Sequence, residues 1–373
     1  MFFCTGRILF IILFILYVSF NGITVFADIV TVGPSGDYEN VQEAVDNSGD
    51  GDEIIVAPGT YGTVRFRGKN ITLRSQNPLD SSIVENTVLQ AGNSTRVVLF
   101  SGEELSTCTL SGFTITDGIS DRGGGVVGNG AIPSILNNRI IGNGVVYNPL
   151  YDDNYGAGIL NCDGLIRNNL IADNTQGAGL ADCDGEISSN IIENNTATVS
   201  LSGGGGLFNC NGLIKNNIIR NNKVENQLVG GGLANCSGTI TSNTITANSS
   251  EFYGGAFSGC KNGVIEKNTI TLNTAGRGGG FYDCKGLIQN NIVTSNTAIL
   301  GGGFLSCQGT FRNNTVFANK ARDNMGGGFY GCSGSILNCI IWGNEGGQIL
   351  SSSNPSYSCV EGGSSGTGNI SDS

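Results

Sequence analysis

Gly278 to Asn296 reads GGGFYDCKGLIQNNIVTSN, and Gly204 to Asn222 reads GGGLFNCNGLIKNNIIRNN. The two stretches are one phrase written twice: a glycine triplet, apolar residues, a cysteine, a glycine, then apolar pairs separated by asparagines. Eight copies follow this plan, and their cysteines, Cys162, Cys183, Cys210, Cys236, Cys260, Cys284, Cys307 and Cys332, recur at intervals of 21 to 27 residues. Self-similarity at such a period is the mark of stacked supersecondary units. Apolar residues come in short bursts, as at Phe281, Leu287 with Ile288, and Ile292 with Val293. No 3.6-residue pattern persists for ten residues, which argues against helical repeats. Three short strands per repeat, turned at Gly and Asn corners, predict an all-β, single-stranded parallel β-helix.

Each repeated residue then has a physical task. The triplets beginning at Gly204, Gly230, Gly278, Gly301 and Gly326 suit positive φ or close backbone approach at a corner. Asn174, Asn195, Asn222, Asn248, Asn273, Asn296, Asn319 and Asn344 form one row, and Asn169, Asn190, Asn217, Asn243, Asn268, Asn291 and Asn314 a second, which ends with Cys339. Asn tolerates the left-handed region, so these rows are expected at corners, with stacked amides hydrogen-bonded along the axis. For the cysteines, coils ~4.8 Å apart permit neighbouring disulfides by distance. Parallel stacked side chains have poor torsions for bridging, however, and a linear stack makes no tetrahedron for a metal. A buried ladder of free thiols is therefore expected.

Composition sets further bounds. The 373 residues include 60 Gly, 12 Cys, 6 Pro and no His, with a formal net charge of −11. Without imidazole there is no Ser-His-Asp or Cys-His nucleophile system and no His-ligated zinc hydrolase. The acidic balance argues against a nucleic-acid partner. Residues 1–27 read as a secretory signal peptide: Arg7, an apolar run from Ile8 to Phe20, and Val25-Phe26-Ala27 before the cut. A secreted, extracellular chain with no membrane span after cleavage follows, expected as a monomer.

An open solenoid exposes strand edges at its ends and needs caps. Residues 28–52 are expected to supply one, with Val41, Ala44 and Val45 as the apolar stripe of a short N-terminal capping helix and Glu53 to Ala57 as the first strand. Further strands are expected at 70–75, 96–101 and 113–116. A less regular coil over 123–143 has Asn129 where the cysteine would be. Coils run through residues 53–344, about a dozen in all and roughly 55–60 Å long at strand spacing, with a final coil and tail over 345–373.

The stretch VGPSGDYENVQEAVDNSGDGDEIIVAPGTY, with LSGFTITDG at 110–118, resembles the opening of secreted bacterial right-handed parallel β-helix proteins of the pectin lyase-like superfamily. The GGG(F/L) and NxIxxN phrases are also similar to repeats of polymorphic outer-membrane proteins. The phrase IIWGNEGGQILSSSNPSYSCVEGGSSGTGNISDS resembles the last coils of such proteins, which usually continue through Asp-Pro-Leu-Phe, so the coil ending at Ser373 is read as truncated. The resemblance implies fold more than activity. The galacturonase Gly-His-Gly segment and the methylesterase Leu-Gly-Arg-Pro-Trp motif are absent, as are the lyase Trp-Ile-Asp-His and Arg-Pro-containing motifs.

A calcium-assisted lyase would need acidic ligands on neighbouring coils and an Arg or Lys as base. Strand alternation around the inward cysteines turns Asp163, Asp184, Asn211, Ser237, Lys261 and Lys285 outward on one side, and Asn161, Asp182, Asn209, Asn235, Gly259 and Asp283 on the other. Asp163, Asp182 and Asp184 are thus expected to cluster on two adjacent coils as candidate Ca²⁺ ligands. Lys261 lies three coils from Asp184, too far to serve as their base. With Asn209 and Asn211 the three acids also form a candidate surface for substrate binding. The leading reading is a non-catalytic binding or structural solenoid for carbohydrate or a cell-surface polymer; the alternatives are a calcium-dependent pectate-like lyase and a surface adhesin.

Overall fold

Each repeat lays down short strands that pair, in parallel and in register, with their counterparts one repeat away. The chain, seen in a computed structural model, is described over residues 27–146, 156–198, 203–226 and 229–371; the leader falls almost wholly outside these. Three long parallel sheets of fourteen, thirteen and twelve strands run the length of the molecule. This is the expected right-handed β-helix of about a dozen coils.

One coil shows the plan. Leu207–Phe208 joins the twelve-stranded sheet, Leu213–Lys215 the fourteen-stranded and Ile218–Arg220 the thirteen-stranded. A fourth short strand, Lys223–Val224, belongs to a six-stranded sheet that three strands per repeat did not anticipate. Leu207, Ile214 and Ile219 point inward and are fully buried. Stacking such residues coil upon coil gives one continuous core, each buried Leu or Ile contributing about 1.5–3 kcal/mol. In the later coils Phe257, Phe281, Phe304 and Phe329 form a column with centroids 4.6–4.7 Å apart and planes within 6°. The coil repeat imposes this spacing.

Both asparagine rows are interior, and they begin one coil earlier than expected, at Asn138 and Asn143. Asn222 shows their chemistry. Its Oδ1 accepts from the backbone N–H of Asn195 at 3.1 Å and from Asn195 Nδ2 at 2.9 Å. Its Nδ2 donates forward to Asn248 Oδ1 at 3.0 Å and back to the Ile192 carbonyl at 2.9 Å. These asparagines are not the left-handed residues. Positive φ falls one position earlier, on Asn216, Asn221, Ala247, Leu272 and Ala318 among others. The rows are Asn because a buried amide must find partners for both its ends; the corner itself accepts alanine and leucine.

The cysteine row is a ladder of free, buried thiols. Each Sγ lies near the carbonyl two residues before it, as Cys183 does at 3.2 Å from Ala181 O. Burial pushes the Cys162 thiol well up, and that of Cys108, an outlier from the row, to about 12. In the irregular early coil Ala131, not Asn129, pairs with Cys162 and takes the cysteine's place inside. Asn129 is a left-handed corner residue, at φ 53° like Asn161.

At the N-terminal end the helix Val41–Asn47 (α1) buries Val41, Ala44 and Val45, and the Asn40 side chain accepts from Gln42 N and Glu43 N. The first strand is not Glu53–Val56 but Ile29–Val32, which pairs with it in parallel. A second helix, Ser81–Asn86 (α2), capped by Asp80, was also not expected. Of the further expected strands, Thr72–Ser75, Val98–Leu99 and Thr114–Thr116 form, each shorter than anticipated. At the other end Ile349–Leu350, Pro355–Ser356 and Cys359–Val360 extend the three sheets, and Asn369 Oδ1 accepts from Ser358 N, continuing through Cys339 the line of the second asparagine row. The coils close on themselves within one chain, compatible with a monomer. Among the described residues no helix is long and apolar enough to cross a membrane.

Candidate functional site

The residues flanking the cysteines lie on the corner between the twelve- and fourteen-stranded sheets. A second column of glycines shapes this corner. A Cβ at Gly185 would lie 2.1 Å from Gly164 O, and at Gly212 2.0 Å from Gly185 O, so only glycine lets the coils stack there. On one side of the thiols Asn161, Asp182, Asn209, Asn235 and Asp283 all have φ between 46° and 54°. They face outward as expected, but because a left-handed corner turns them out, which also explains the Asn and Asp in the row.

On the other side the polar side chains link coil to coil. Asp163 Oδ1 accepts the N–H of Asp184 at 2.9 Å, Asp184 Oδ1 accepts that of Asn211 at 2.8 Å, and Asn211 Oδ1 accepts that of Ser237 at 3.0 Å. Across the corner, Asp182 Oδ1 accepts from Asn209 Nδ2 at 2.5 Å. The five candidate residues therefore occupy one edge over three coils. Asp163, Asp182 and Asp184 each already have a carboxylate oxygen engaged by the protein, and Asp182 stands on the opposite side of the cysteine row from the other two. Among the described residues no group of three or more acids and thiols comes together to hold a metal ion. The calcium-ligand expectation does not fit this arrangement, and no step is drawn through such an ion.

Arg167 is exposed on the outer face of the fourteen-stranded sheet, beside Ser188. Nearby, Lys215 Nζ lies 3.0 Å from Glu186 Oε2, and that contact, with help from Ser188, holds the Glu186 carboxyl below its usual range. Lys261 pairs with Asp283 at 3.2 Å.

Two groupings escape the repeat register. Arg96, Arg122, Asn129, Asn161 and Asp182 line a small cavity of about 30 Å³, room for little more than a water, and Arg96 pairs with Asp121 at 3.4 Å. Both arginines come from early, irregular coils, so no alignment of the repeats could place them beside Asp182. Farther along, the Tyr253 and Tyr282 rings sit 4.6 Å apart, Phe252 is 6.3 Å from Tyr253, and the Arg277 guanidinium lies 5.7 Å from the Tyr253 centroid. Desolvation raises the Tyr282 hydroxyl above its ordinary value. Tyr282 immediately precedes the corner residue Asp283, so this aromatic surface adjoins the polar edge.

Residues 207–362, the most regular coils, match the family model described as Right handed beta helix region. The match spans less than half of the chain, and the fold that it names is the one the described coils adopt. No curated protein and no solved structure gives a significant match. In a β-helix of this kind the inward rows carry the fold, and the outward corner is where residue identity is free to vary.

Proposed function

We propose that this β-helix is a non-catalytic binding solenoid that works outside the cell and holds a polysaccharide or other cell-surface polymer along the polar edge. The observation that carries this reading is the repetition of hydrogen-bonding side chains on one corner, Asp163, Asp184 and Asn211 beside Asp182 and Asn209, at steps of ~4.8 Å. A line of repeated donors and acceptors suits a ligand that itself repeats. The Tyr253 and Tyr282 rings, farther along the solenoid, add surface suited to a sugar face.

Screening the purified chain on a polysaccharide array tests it. Retention of at least one polymer is expected, with an Asp182→Ala, Asn209→Ala double variant binding at least tenfold more weakly while its circular dichroism is unchanged. Retention of none would sink the proposal. Juxtaposition of Arg96 and Arg122 with Asp182 favours one competing reading, a uronate lyase. Appearance of the ultraviolet absorbance of unsaturated uronate from polygalacturonate or alginate, lost with chelator, would replace binding by catalysis.

A further inference from the structure

The outer face of the thirteen-stranded sheet is built unlike the rest of the surface. In its three-residue strands from Ile191–Glu193 to Ile340–Trp342 the middle residue points into the core and the first and third point out, as in Ile218–Arg220, where Ile219 is buried. In continuous register, the outward positions include Ile191, Ile218, Ile292, Phe317, Ile340 and Trp342. Ile218 is 39% exposed, Ile292 49%, Phe317 46% and Ile340 50%. From Thr244 to Trp342 the remaining outward positions of the sheet are threonines, and none carries a charge. The fourteen-stranded sheet, by contrast, turns Glu186, Lys215 and Arg312 outward. Single exposed aliphatic residues are ordinary, but an in-register apolar row is not.

We propose that two copies of this chain associate reversibly through these faces, the two sheets packed ~10 Å apart with strands within ~30° of alignment. Three observations select a second copy. Isoleucine offers a sugar no hydrogen bond, so the row suits an apolar surface rather than a glycan. A two-fold contact sets a patch against itself, and for a chain of charge −11 a patch whose only charges, Glu193 and Arg220, pair with one another is where two copies meet with least repulsion. The area is at the margin: the seven coils from Ile191 to Trp342, at ~4.8 Å each and a width of ~15 Å, give on the order of 500 Å² per chain, about 1,000 Å² in total, in keeping with a weak dimer.

Sedimentation velocity of the full chain over a wide concentration range is the test, with emission from Trp342, the one tryptophan, read in parallel. A monomer–dimer equilibrium is expected, its emission shifting to the blue as dimer forms. An Ile218→Lys, Ile292→Lys double variant should weaken association at least tenfold without changing circular dichroism, whereas Thr241→Lys on the fourteen-stranded sheet should leave it unchanged. A chain that stays monomeric throughout overturns the proposal. So does a dimer indifferent to the double variant, or a Trp342 shift seen only when polysaccharide or lipid vesicles are added to a monomer.

Discussion

Two rows of side chains perform nearly the same task at different depths. Inside, Asn195, Asn222 and Asn248 pass hydrogen bonds from coil to coil with their amides fully buried. At the corner, Asp163, Asp184 and Asn211 also each accept an N–H from the next coil, but they are half-buried or exposed. The inner row does not change identity from Asn143 to Asn344. The outer row drifts from Asp to Asn to Ser to Lys. Where water is excluded, an amide that loses a partner has no substitute; where water is present, it has one. Depth therefore decides which rows hold the fold and which are open to function.

The strongest way to break this contrast is Asn222→Asp. The change removes a donor and buries a charge, and about 3–5 kcal/mol of stability should be lost at neutral pH, read as a lower urea midpoint. Burial raises the pKa of such a carboxyl, so part of the loss should return as pH falls. Asn222→Ala comes next, at about 2–4 kcal/mol, because it strands Asn195 Nδ2 and the Ile192 carbonyl. The same exchange at the surface, Asp184→Asn, should change stability by less than about 0.5 kcal/mol, since the new amide oxygen still accepts from Asn211 N as Asn211 accepts from Ser237. A loss comparable to that of the buried variants would overturn the comparison.

Of the same small order is the pH dependence carried by Glu186. Its carboxyl is held low by Lys215, so the stabilisation is present above its unfolded pKa of ~4.3 and is lost as pH falls through the lower folded value. Lys215→Ala should remove that part of the acid sensitivity, under about 1 kcal/mol in a solvent-screened pair, detected by thermal melts between about pH 3 and 6.

How far the sequence could be read follows the same division. The coil period, the cysteine column and both asparagine rows were legible because interior geometry forces one residue type to recur. The conformational role assigned to the asparagines was misplaced, since residue type alone does not separate a left-handed corner from the buried amide beside it; Ala247, Leu272 and Ala318 give the difference away only in three dimensions. Asn138 and Asn143 were missed because their coil carries Ala131 in place of the cysteine that set the register. The corner acids were correctly placed outward, whereas Arg96 and Arg122 line a cavity with Asp182 from coils whose lengths follow no repeat.

The buried amides also have a direction. In both columns each Oδ1 faces the preceding coil and one N–H of each Nδ2 faces the next, so the side-chain dipoles add rather than cancel, whereas sheets by themselves have small net dipoles. The column from Asn143 to Asn344 hands its last donor to Gln348 Oε1, and Gln348 Nε2 in turn meets the Glu361 carboxylate at 2.5 Å. An anion thus stands at the positive end of a polarised rod, much as one stabilises the start of an α-helix, and the two ends of this cylinder are electrically unlike.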